Sequence, residues 1–350
     1  MSEAKTNGGR LRHSCDAEPG YTRRKQGRYW AYFDENGDRV TDRDTIDRLN
    51  AIALPPAYEN AWFCKDDNGH LQATGVDARG RKQYRYHPKW RVIRDETKFD
   101  RMIGFAQALP QIRQETDRDI RRQGMPRQKV LATVVRLLEK TLIRVGNDEY
   151  AKQNRSYGLT TLRDGHVDVK GSKVRFTFRG KSGISHTIDL DDRRLARIVR
   201  ACRDIPGYDL FQYLDDNGKR QVVGSADVNS YLKEISGEDY TSKDFRTWAG
   251  TVHAADVLRA CGPCASRTEA RRNIVKAVES VAKRLGNTRA VSKKCYIHPT
   301  IFDAYVDGLM TKMRVVKRNG RSPHALSECE SAVLALLQKT AGKPLKRKAS

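Results

Sequence analysis

The sequence lacks any long apolar run. No stretch of its 350 residues approaches the roughly 20 apolar residues that a helix needs to cross a bilayer. Residues 1–20 hold no apolar segment that could act as a secretory signal. Seven cysteines without such a signal favour free thiols in a reducing compartment. We therefore expect a soluble, cytoplasmic protein with no membrane partner.

Recognisable metal and nucleotide motifs are also lacking. Cys261 and Cys264 lie in a CGPC sequence, but the strand–helix–strand pattern of thioredoxin-like redox proteins does not surround it. Cys295, His253 and His298 show no spacing that would complete a zinc site. No Gly-x-x-x-x-Gly-Lys-Ser/Thr loop is present. We expect no metal, no nucleotide and no other cofactor.

Acidic residues are scarce relative to basic ones. The chain has 43 Asp and Glu against 67 Lys and Arg, which gives a formal net charge of +24. The basic residues are spread along the whole length rather than gathered in one tail. Such a charge favours a polyanionic partner, most simply the phosphate backbone of nucleic acid. A well-solvated basic surface without a specific partner is the alternative.

Local patterns divide the chain into a strand-rich and a helix-rich part. Strand signals occupy 27–90, where RYWAYF (28–33) and AWFC (61–64) each lead into a hairpin-like turn. From about residue 97 apolar residues recur at helical spacing, as in 126–146. We expect a disordered tail (1–20), a small β-rich domain (21–93), a larger domain (94–342) and a basic tail (343–350).

The larger part returns to strands once. VRFTF (174–178) and ISHTIDL (184–190) flank RGKSG (179–183), so Lys181 should lie in a hairpin turn. The last helix should open with a capping box of Ser327 and Glu330. Helices are expected at 191–204, 225–236, 244–260, 268–285, 298–313 and 327–339. The fold class is therefore α+β.

Tyr296 is a candidate nucleophile. A phenol titrates near pH 10, so it attacks only a highly activated target. A phosphodiester held by two guanidinium groups is such a target, and Arg144 and Arg246 could supply them. A lysine could protonate the leaving oxygen, because nearby cations lower a lysine pKa. Taken alone, Tyr296 is better interpreted as a partly buried packing tyrosine.

Five separated segments together carry a resemblance that no single residue could establish. They are GRKQYRYHP (80–88), LIRVGNDEYA (142–151), FRGKSG (178–183), SKDFRTWAG (242–250) and SKKCYIHP (292–299). In order and spacing they resemble the type IB DNA topoisomerases, specifically the compact poxvirus-like and bacterial branch, over about residues 25–315. The resemblance implies a mainly helical catalytic domain with a three-stranded antiparallel sheet, behind a small β-rich N-terminal domain. It also implies a monomer that clamps duplex DNA.

The resemblance assigns catalytic roles to five residues. Tyr296 matches the nucleophile that forms a 3′-phosphotyrosyl intermediate. Arg144 and Arg246 match the arginines that stabilise the phosphate. Lys181 matches the general acid, and Lys243 matches a lysine that assists proton donation to the leaving 5′ oxygen. The implied activity is relaxation of positive and negative supercoils by single-strand cleavage, without ATP or metal.

Asn287 is a sixth catalytic candidate and a departure from the common pattern. Poxvirus and eukaryotic members usually carry histidine at this position. An asparagine amide still donates a neutral hydrogen bond to a phosphate oxygen, but it cannot titrate or make a charge-assisted bond. A helix C-cap at Gly286–Asn287 is the alternative interpretation. The asparagine favours a bacterial rather than a viral source.

Four further residues match DNA contacts of the family. Gln83, Tyr84 and Tyr86 match N-terminal residues that touch bases and backbone, and Tyr150 matches a groove-facing residue of the catalytic domain. An ordinary alternating strand is the alternative for the two neighbouring tyrosines. Duplex DNA is thus the expected partner, and the nucleoid the expected location.

Two other functions remain open from the sequence. Tyrosine recombinases share the catalytic fold, but they usually place histidine where this chain has Lys243, and they begin with a helical domain. A non-catalytic DNA-binding protein that retains the fold is the second alternative.

Overall fold

The computed structural model describes residues 11–27, 29–78, 80, 82–215, 217–312 and 322–340. The chain divides into two compact units, residues 1–98 and 99–350. The expected basic tail at 343–350 and the first ten residues of the expected N-terminal tail lie outside the described residues. Within the described ranges no helix is both long and apolar enough to cross a membrane.

The first unit is built on an antiparallel sheet of five strands in the order β2-β1-β3-β4-β5. Its core contains Tyr32, Leu49, Leu54, Phe63 and Ala73. The elements are β1 (Gly20–Gln26), β2 (Tyr29–Phe33), α1 (Arg43–Ala51), β3 (Glu59–Cys64), β4 (Leu71–Val76) and β5 (Lys82–Tyr86). The expected β-rich N-terminal region is confirmed.

Both expected hairpin-like turns form, but only the second joins two paired strands. β3 and β4 pair across the DDNG turn as expected. After β2, the Asp34 carboxylate accepts the backbone N–H groups of Asn36 and Asp38 and tightens the turn. Beyond this turn only Phe33 and Arg39 form a β-bridge, and the strand that pairs with β2 is β1.

The expectation of a disordered tail is wrong from residue 11 onward. Ser14 is buried, its N–H donates to His70 Nδ1 at 3.0 Å, and its hydroxyl donates to the Leu71 carbonyl at 3.1 Å. Arg12 forms a β-bridge with Gly69. The polar composition concealed this order, because the partners that satisfy these polar groups lie more than fifty residues further along the chain.

The second unit is mainly helical, with a three-stranded antiparallel sheet in the order β6-β7-β8 and a separate pair, β9 and β10. The expected α+β class is confirmed. The strands are β6 (Val167–Lys170), β7 (Lys173–Arg179), β8 (Ser185–Asp191), β9 (Gln212–Leu214) and β10 (Arg220–Val222). The helices are α2 (Pro88–Ile120), which contains the boundary between the units, α3 (Arg127–Thr141), α4 (Asp148–Asn154), α5 (Arg193–Arg203), α6 (Ser225–Ser236), α7 (Ser242–Cys261), α8 (Arg267–Leu285), α9 (Arg289–Cys295), α10 (Pro299–Val306) and α11 (Glu328–Thr340).

Two buried helices position the candidate site. α3 buries Val130, Val134 and Leu138 and ends where Leu142 adopts a left-handed conformation with φ 57°. α7 buries Phe245 and Trp248 on either side of a candidate arginine. Because close-packed cores tolerate little movement, side chains at the ends and on the buried face of these helices are held in place.

Candidate active site

Arg246 lies at the centre of the candidate site. It is only 4% exposed. Its Nη1 donates to the Leu142 carbonyl and its Nη2 to the Leu285 carbonyl at 2.8 Å. These carbonyls terminate α3 and α8, where the helix dipole favours a cation. Its Nε–H has no partner among the described residues.

Burial, and then the neighbouring Arg144, lower the pKa of Arg246 to about 10, while Tyr296 acts in the opposite direction. The guanidinium is therefore still charged at neutral pH. A buried cation with one unused donor is suited to bind an anion.

Arg144 lies on the segment that leaves α3. Its Nη2 donates to the Gly286 carbonyl at 3.3 Å and to Asn287 Oδ1. The backbone there is pinned, because Leu159 N–H donates to the Arg144 carbonyl at 2.9 Å. Burial lowers the pKa of Arg144, against an opposite effect of Tyr296. Two cationic side chains thus lie side by side in a partly desolvated site.

Asn287 follows the end of α8, and Gly286 rather than Asn287 is the C-cap. Gly286 takes the left-handed conformation, and Asn287 N–H donates to the Ala282 carbonyl at 3.0 Å. The Asn287 side chain is therefore not used for capping. Its Oδ1 accepts from Arg144, and its buried Nδ2 has no partner in the described part of the chain. An unsatisfied buried donor costs about 1–3 kcal/mol, which a bound oxygen would recover.

Tyr296 ends α9 and lies against α7. Its ring centroid is 5.3 Å from Arg246 Cζ. Its carbonyl oxygen rests on Gly250, where an added Cβ would come within 2.5 Å of it. Thr251 Oγ1 donates to the same carbonyl at 3.4 Å and accepts His298 N–H at 3.0 Å. Helix α7 therefore carries Arg246 and also Gly250 and Thr251, which contact the Tyr296 backbone.

The two candidate lysines are exposed, and each lies on an element that also contributes a residue to the pocket or the contact with Tyr296. Lys181 begins a 3₁₀ turn between β7 and β8. That turn closes by a bond from Gly180 N–H to the Ile184 carbonyl at 2.7 Å. Lys243 lies in the first turn of α7, three residues before Arg246, and hence on the same side of that helix.

His186 was missed from the sequence. It lies on β8 opposite Phe178 of β7, and the two rings stack at 5.2 Å. Burial first, and then Arg144 and Arg246, lower the pKa of His186. Its place five residues after Lys181 in a strand was the available signal. It lines a pocket of about 300 Å³ that also includes Arg144, Gly180, Arg246, Lys283, Arg284 and Gly286.

The DNA-contact candidates of the first unit do not share one face. Tyr84 and Tyr86 alternate with Gln83 along β5, an edge strand. The tyrosine rings stack at 6.2 Å, and Tyr84 is 45% exposed. Gln83 Nε2 instead donates to Asp77 Oδ2 at 2.9 Å. In the second unit, Tyr150 lies in the first turn of α4 and is 44% exposed.

The two cysteines of the CGPC sequence lie at the far end of α7 from Arg246, whereas Cys295 directly precedes Tyr296. Cys261 ends α7 and Cys264 lies in the connection to α8, and these two cysteines form no disulfide. Within the ranges that the structure describes, no three His, Cys, Asp or Glu side chains are grouped to hold a metal ion.

Comparison with known proteins identifies the family. Residues 87–321 match the catalytic core model of eukaryotic DNA topoisomerase I, and residues 29–77 match the N-terminal domain model of bacterial DNA topoisomerase IB.

The chain is 32% identical over 295 residues to DNA topoisomerase 1B of Acanthamoeba polyphaga mimivirus, covering 82% of this chain and 87% of that protein. It is 22% identical over 276 residues to DNA topoisomerase 1B of Vaccinia virus strain Copenhagen, covering 76% and 83%. It is 22% identical over 233 residues to DNA topoisomerase 1 alpha of Arabidopsis thaliana, covering 65% and 24%. These matches favour the topoisomerase over the recombinase and the non-catalytic alternatives. The chain belongs to the type IB DNA topoisomerase family and is an enzyme of that type.

Proposed function

We propose that this enzyme relaxes positive and negative supercoils in duplex DNA by cleaving one strand transiently through Tyr296. The observation that carries the proposal is the contact group of Arg144, Arg246, Asn287 and Tyr296. Its members come from four separate segments. Two of their buried donors, the Nε–H of Arg246 and the Nδ2 of Asn287, have no partner among the described residues. In-line displacement at a phosphodiester requires such a nucleophile and such fixed donors.

The phosphate-binding role falls to Arg144, Arg246 and Asn287. Two like charges buried side by side repel each other, and a phosphodiester would relieve that repulsion. The Nε–H of Arg246 and the amide of Asn287 would donate to the non-bridging oxygens. These bonds strengthen as negative charge grows on the pentacoordinate phosphate. The group therefore favours the transition state over the bound substrate.

In the cleavage step the phenolic oxygen of Tyr296 forms a bond to phosphorus, and the bond from phosphorus to the 5′ oxygen of the next nucleotide breaks. The phenolic proton leaves to solvent. We assign Lys181 as the acid that gives a proton to the 5′ oxygen, with Lys243 assisting it. The products are a 3′-phosphotyrosyl ester and a strand with a free 5′ hydroxyl.

Religation is the reverse reaction. The phosphotyrosyl ester conserves the energy of the broken phosphodiester, so the free 5′ hydroxyl can displace the tyrosine after the nicked strand has rotated. A lysine that has given up its proton would then accept one from the attacking hydroxyl. The proposed residues suffice for both steps, so we expect activity without ATP or added divalent metal.

We infer that the protein binds duplex DNA as a monomer and that each of its two units contributes contacts. The exposed Tyr84 and Tyr150 suit contact with the sugar–phosphate backbone and the groove. The excess of 24 positive charges supports binding along the phosphates. A cytoplasmic, nucleoid-associated location follows from this partner.

The test is relaxation of plasmid DNA in EDTA without nucleotide. The enzyme should relax a negatively supercoiled and a positively supercoiled plasmid alike, because rotation about one intact strand releases torsion of either sign. Topoisomer distributions on agarose gels with an intercalator report the result. Relaxation of only one sign, or complete dependence on added metal or ATP, would contradict the proposal.

A further inference from the structure

The imidazole of His186 fills the space between two parts of the site. On one side, a Cβ added at Gly180 would lie 2.6 Å from His186 Cδ2 and 2.7 Å from Nε2. On the other side, a Cβ added at Gly286 would lie 2.5 Å from Cε1. The ring thus packs directly on the backbone of both glycines, where no other residue type fits without displacing it.

One glycine lies beside the proposed proton donor and the other beside the proposed phosphate-binding residues. Gly180 immediately precedes Lys181 at the tip of the β7–β8 hairpin. Gly286 gives its carbonyl to Arg144 and immediately precedes Asn287. The histidine ring therefore connects the hairpin that carries the lysine to the turn that holds the phosphate-binding side chains.

The contacts of His186 restrain the ring itself. It stacks on Phe178 with an angle of 26° between the ring planes. The turn end of the hairpin is fixed by a bond from Tyr157 N–H to the Arg179 carbonyl at 2.8 Å. The imidazole that lies between Gly180 and Gly286 therefore sets the separation between the hairpin and the end of α8.

We propose that His186 is a positioning residue that holds Lys181 at the distance from the phosphate-binding group at which it can protonate the leaving 5′ oxygen. This inference rests on the proposed function of the site. It assigns His186 no contact with the reacting atoms; its effect on the reaction passes through the lysine.

The charges around the ring are consistent with a neutral spacer. Arg144 and Arg246 face it, Lys283 and Arg284 line the same pocket, and Lys181 lies on the hairpin tip. Burial and the two facing guanidinium groups lower the pKa of His186, so the ring is neutral at and above neutral pH. A neutral aromatic spacer separates the groups without adding a further positive charge.

A change of leaving group tests this inference. A thiolate leaves without a proton, because a thiol titrates near pH 8.5, whereas an alkoxide must be protonated. A synthetic duplex is prepared with the 5′ bridging oxygen replaced by sulfur at a cleavage position mapped beforehand with the unaltered enzyme. Single-turnover cleavage is then compared for the oxygen and sulfur duplexes.

His186→Ala should slow cleavage of the oxygen duplex about 10- to 100-fold, a partial loss of the roughly 10²- to 10⁴-fold that general acid catalysis contributes. It should slow cleavage of the sulfur duplex less than about threefold, since the phosphate-binding group keeps its own contacts. His324→Ala is the matched control. That histidine of the same unit lies against Asp117, outside the pocket, and both cleavage rates should be unchanged. Equal losses on both duplexes, or no loss on either, would overturn the inference.

A double substitution shows whether the effect passes through the lysine. In a Lys181→Ala background, adding His186→Ala should not slow oxygen cleavage further, because residues that act through one another are non-additive. Effects that multiply would overturn the inference.

If His186→Ala lowers the thermal unfolding midpoint so far that the enzyme is not folded in the assay, His186→Gln, which retains side-chain volume, is judged by the same two criteria. Unaltered enzyme that forms no covalent link through Tyr296 would refute the proposed function; a normal link with equal losses in the variant refutes only the role of His186.

Discussion

At the scale of single residues, the candidate site is marked by buried N–H donors that have no hydrogen-bond partner among the described residues. Nη1 and Nη2 of Arg246 donate to helix-end carbonyls while its Nε–H has no partner among the described residues, and the same is true of the buried Nδ2 of Asn287. These unused donors, rather than the presence of arginine and asparagine, indicate an anion site. The motifs named the candidate residues. Which donors remain free depends on the ends of α3 and α8, so no local pattern predicted it.

Gly250 provides a residue-scale prediction about the nucleophile. In Gly250→Ala the new Cβ would lie 2.5 Å from the Tyr296 carbonyl oxygen and 3.3 Å from its Cβ, so the tyrosine must shift. Displacement of a reacting group by about 1 Å costs on the order of 100-fold in rate. We expect single-turnover cleavage to fall by at least about tenfold.

Gly165→Ala is the matched control, because nothing lies within 4 Å of a Cβ at Gly165. Cleavage by that variant should equal cleavage by the unaltered enzyme. Thermal unfolding of both variants separates displacement from loss of the fold. Wild-type cleavage by a folded Gly250→Ala variant would show that the tyrosine is not seated on α7 as described.

At the scale of elements, the structure shows why some predictions succeeded. The helix expected at 225–236 has those bounds, and the Ser327–Glu330 capping box is present at the start of α11. Helix ends are encoded by nearby residues, so the sequence can reveal them. The segment 298–313 was predicted as one helix, but α10 ends at Val306 and a short 3₁₀ turn follows Gly308.

The order of residues 11–19 could not be predicted because it depends on residues that are distant in the sequence. It depends on Ser14 reaching His70 and Leu71 on another strand. Pairings of this separation become visible only once the sheet is assembled. The same limit concealed His186, whose importance comes from two glycines on different elements.

α11 provides an element-scale prediction about stability. Glu330 accepts Arg113 Nη2 at 2.8 Å and Trp248 Nε1 at 3.1 Å, and Trp248 lies two residues from Arg246. Glu330→Gln removes the charge that faces a buried arginine. Loss of one partner of a buried pair costs about 3–5 kcal/mol. Because Arg113 retains Glu139, we expect a smaller loss, about 2–3 kcal/mol in urea unfolding at pH 7. Glu328→Gln, the same change in the same helix turn, should alter stability by less than about 0.5 kcal/mol.

The pH dependence of this difference has a defined sign. Burial acts to raise the pKa of Glu330, but Arg113, Ser327 and Trp248 outweigh it and the pKa is lowered from its ordinary value of 4.5. A carboxyl group with a lowered pKa stabilises the fold above its ordinary pKa and loses that contribution as pH falls through the folded value. The stability difference between the parent and Glu330→Gln should therefore shrink below about pH 4.5. A difference that is constant from pH 7 to pH 3 would contradict the assignment of charge to Glu330.

At the scale of the whole molecule, composition and family membership agree on the class of partner but differ in what they specify. A net charge of +24 favours a polyanionic partner. It could not select five catalytic candidates from 67 basic residues and 14 tyrosines. The five motifs selected them, and the family match over residues 29–77 and 87–321 covers parts of both units.

The central claim is that Tyr296 carries a DNA strand by its 3′ phosphate, and one measurement tests it most directly. The enzyme is mixed with supercoiled plasmid, denatured during turnover and digested with protease and nuclease, and the peptide bearing nucleotide is sequenced by mass spectrometry. We predict that the adduct maps to Tyr296 and leaves a free 5′ hydroxyl on the cut strand. Tyr296→Phe should yield no adduct while it retains DNA binding. An adduct on another residue, or on a 5′ phosphate, would contradict the account.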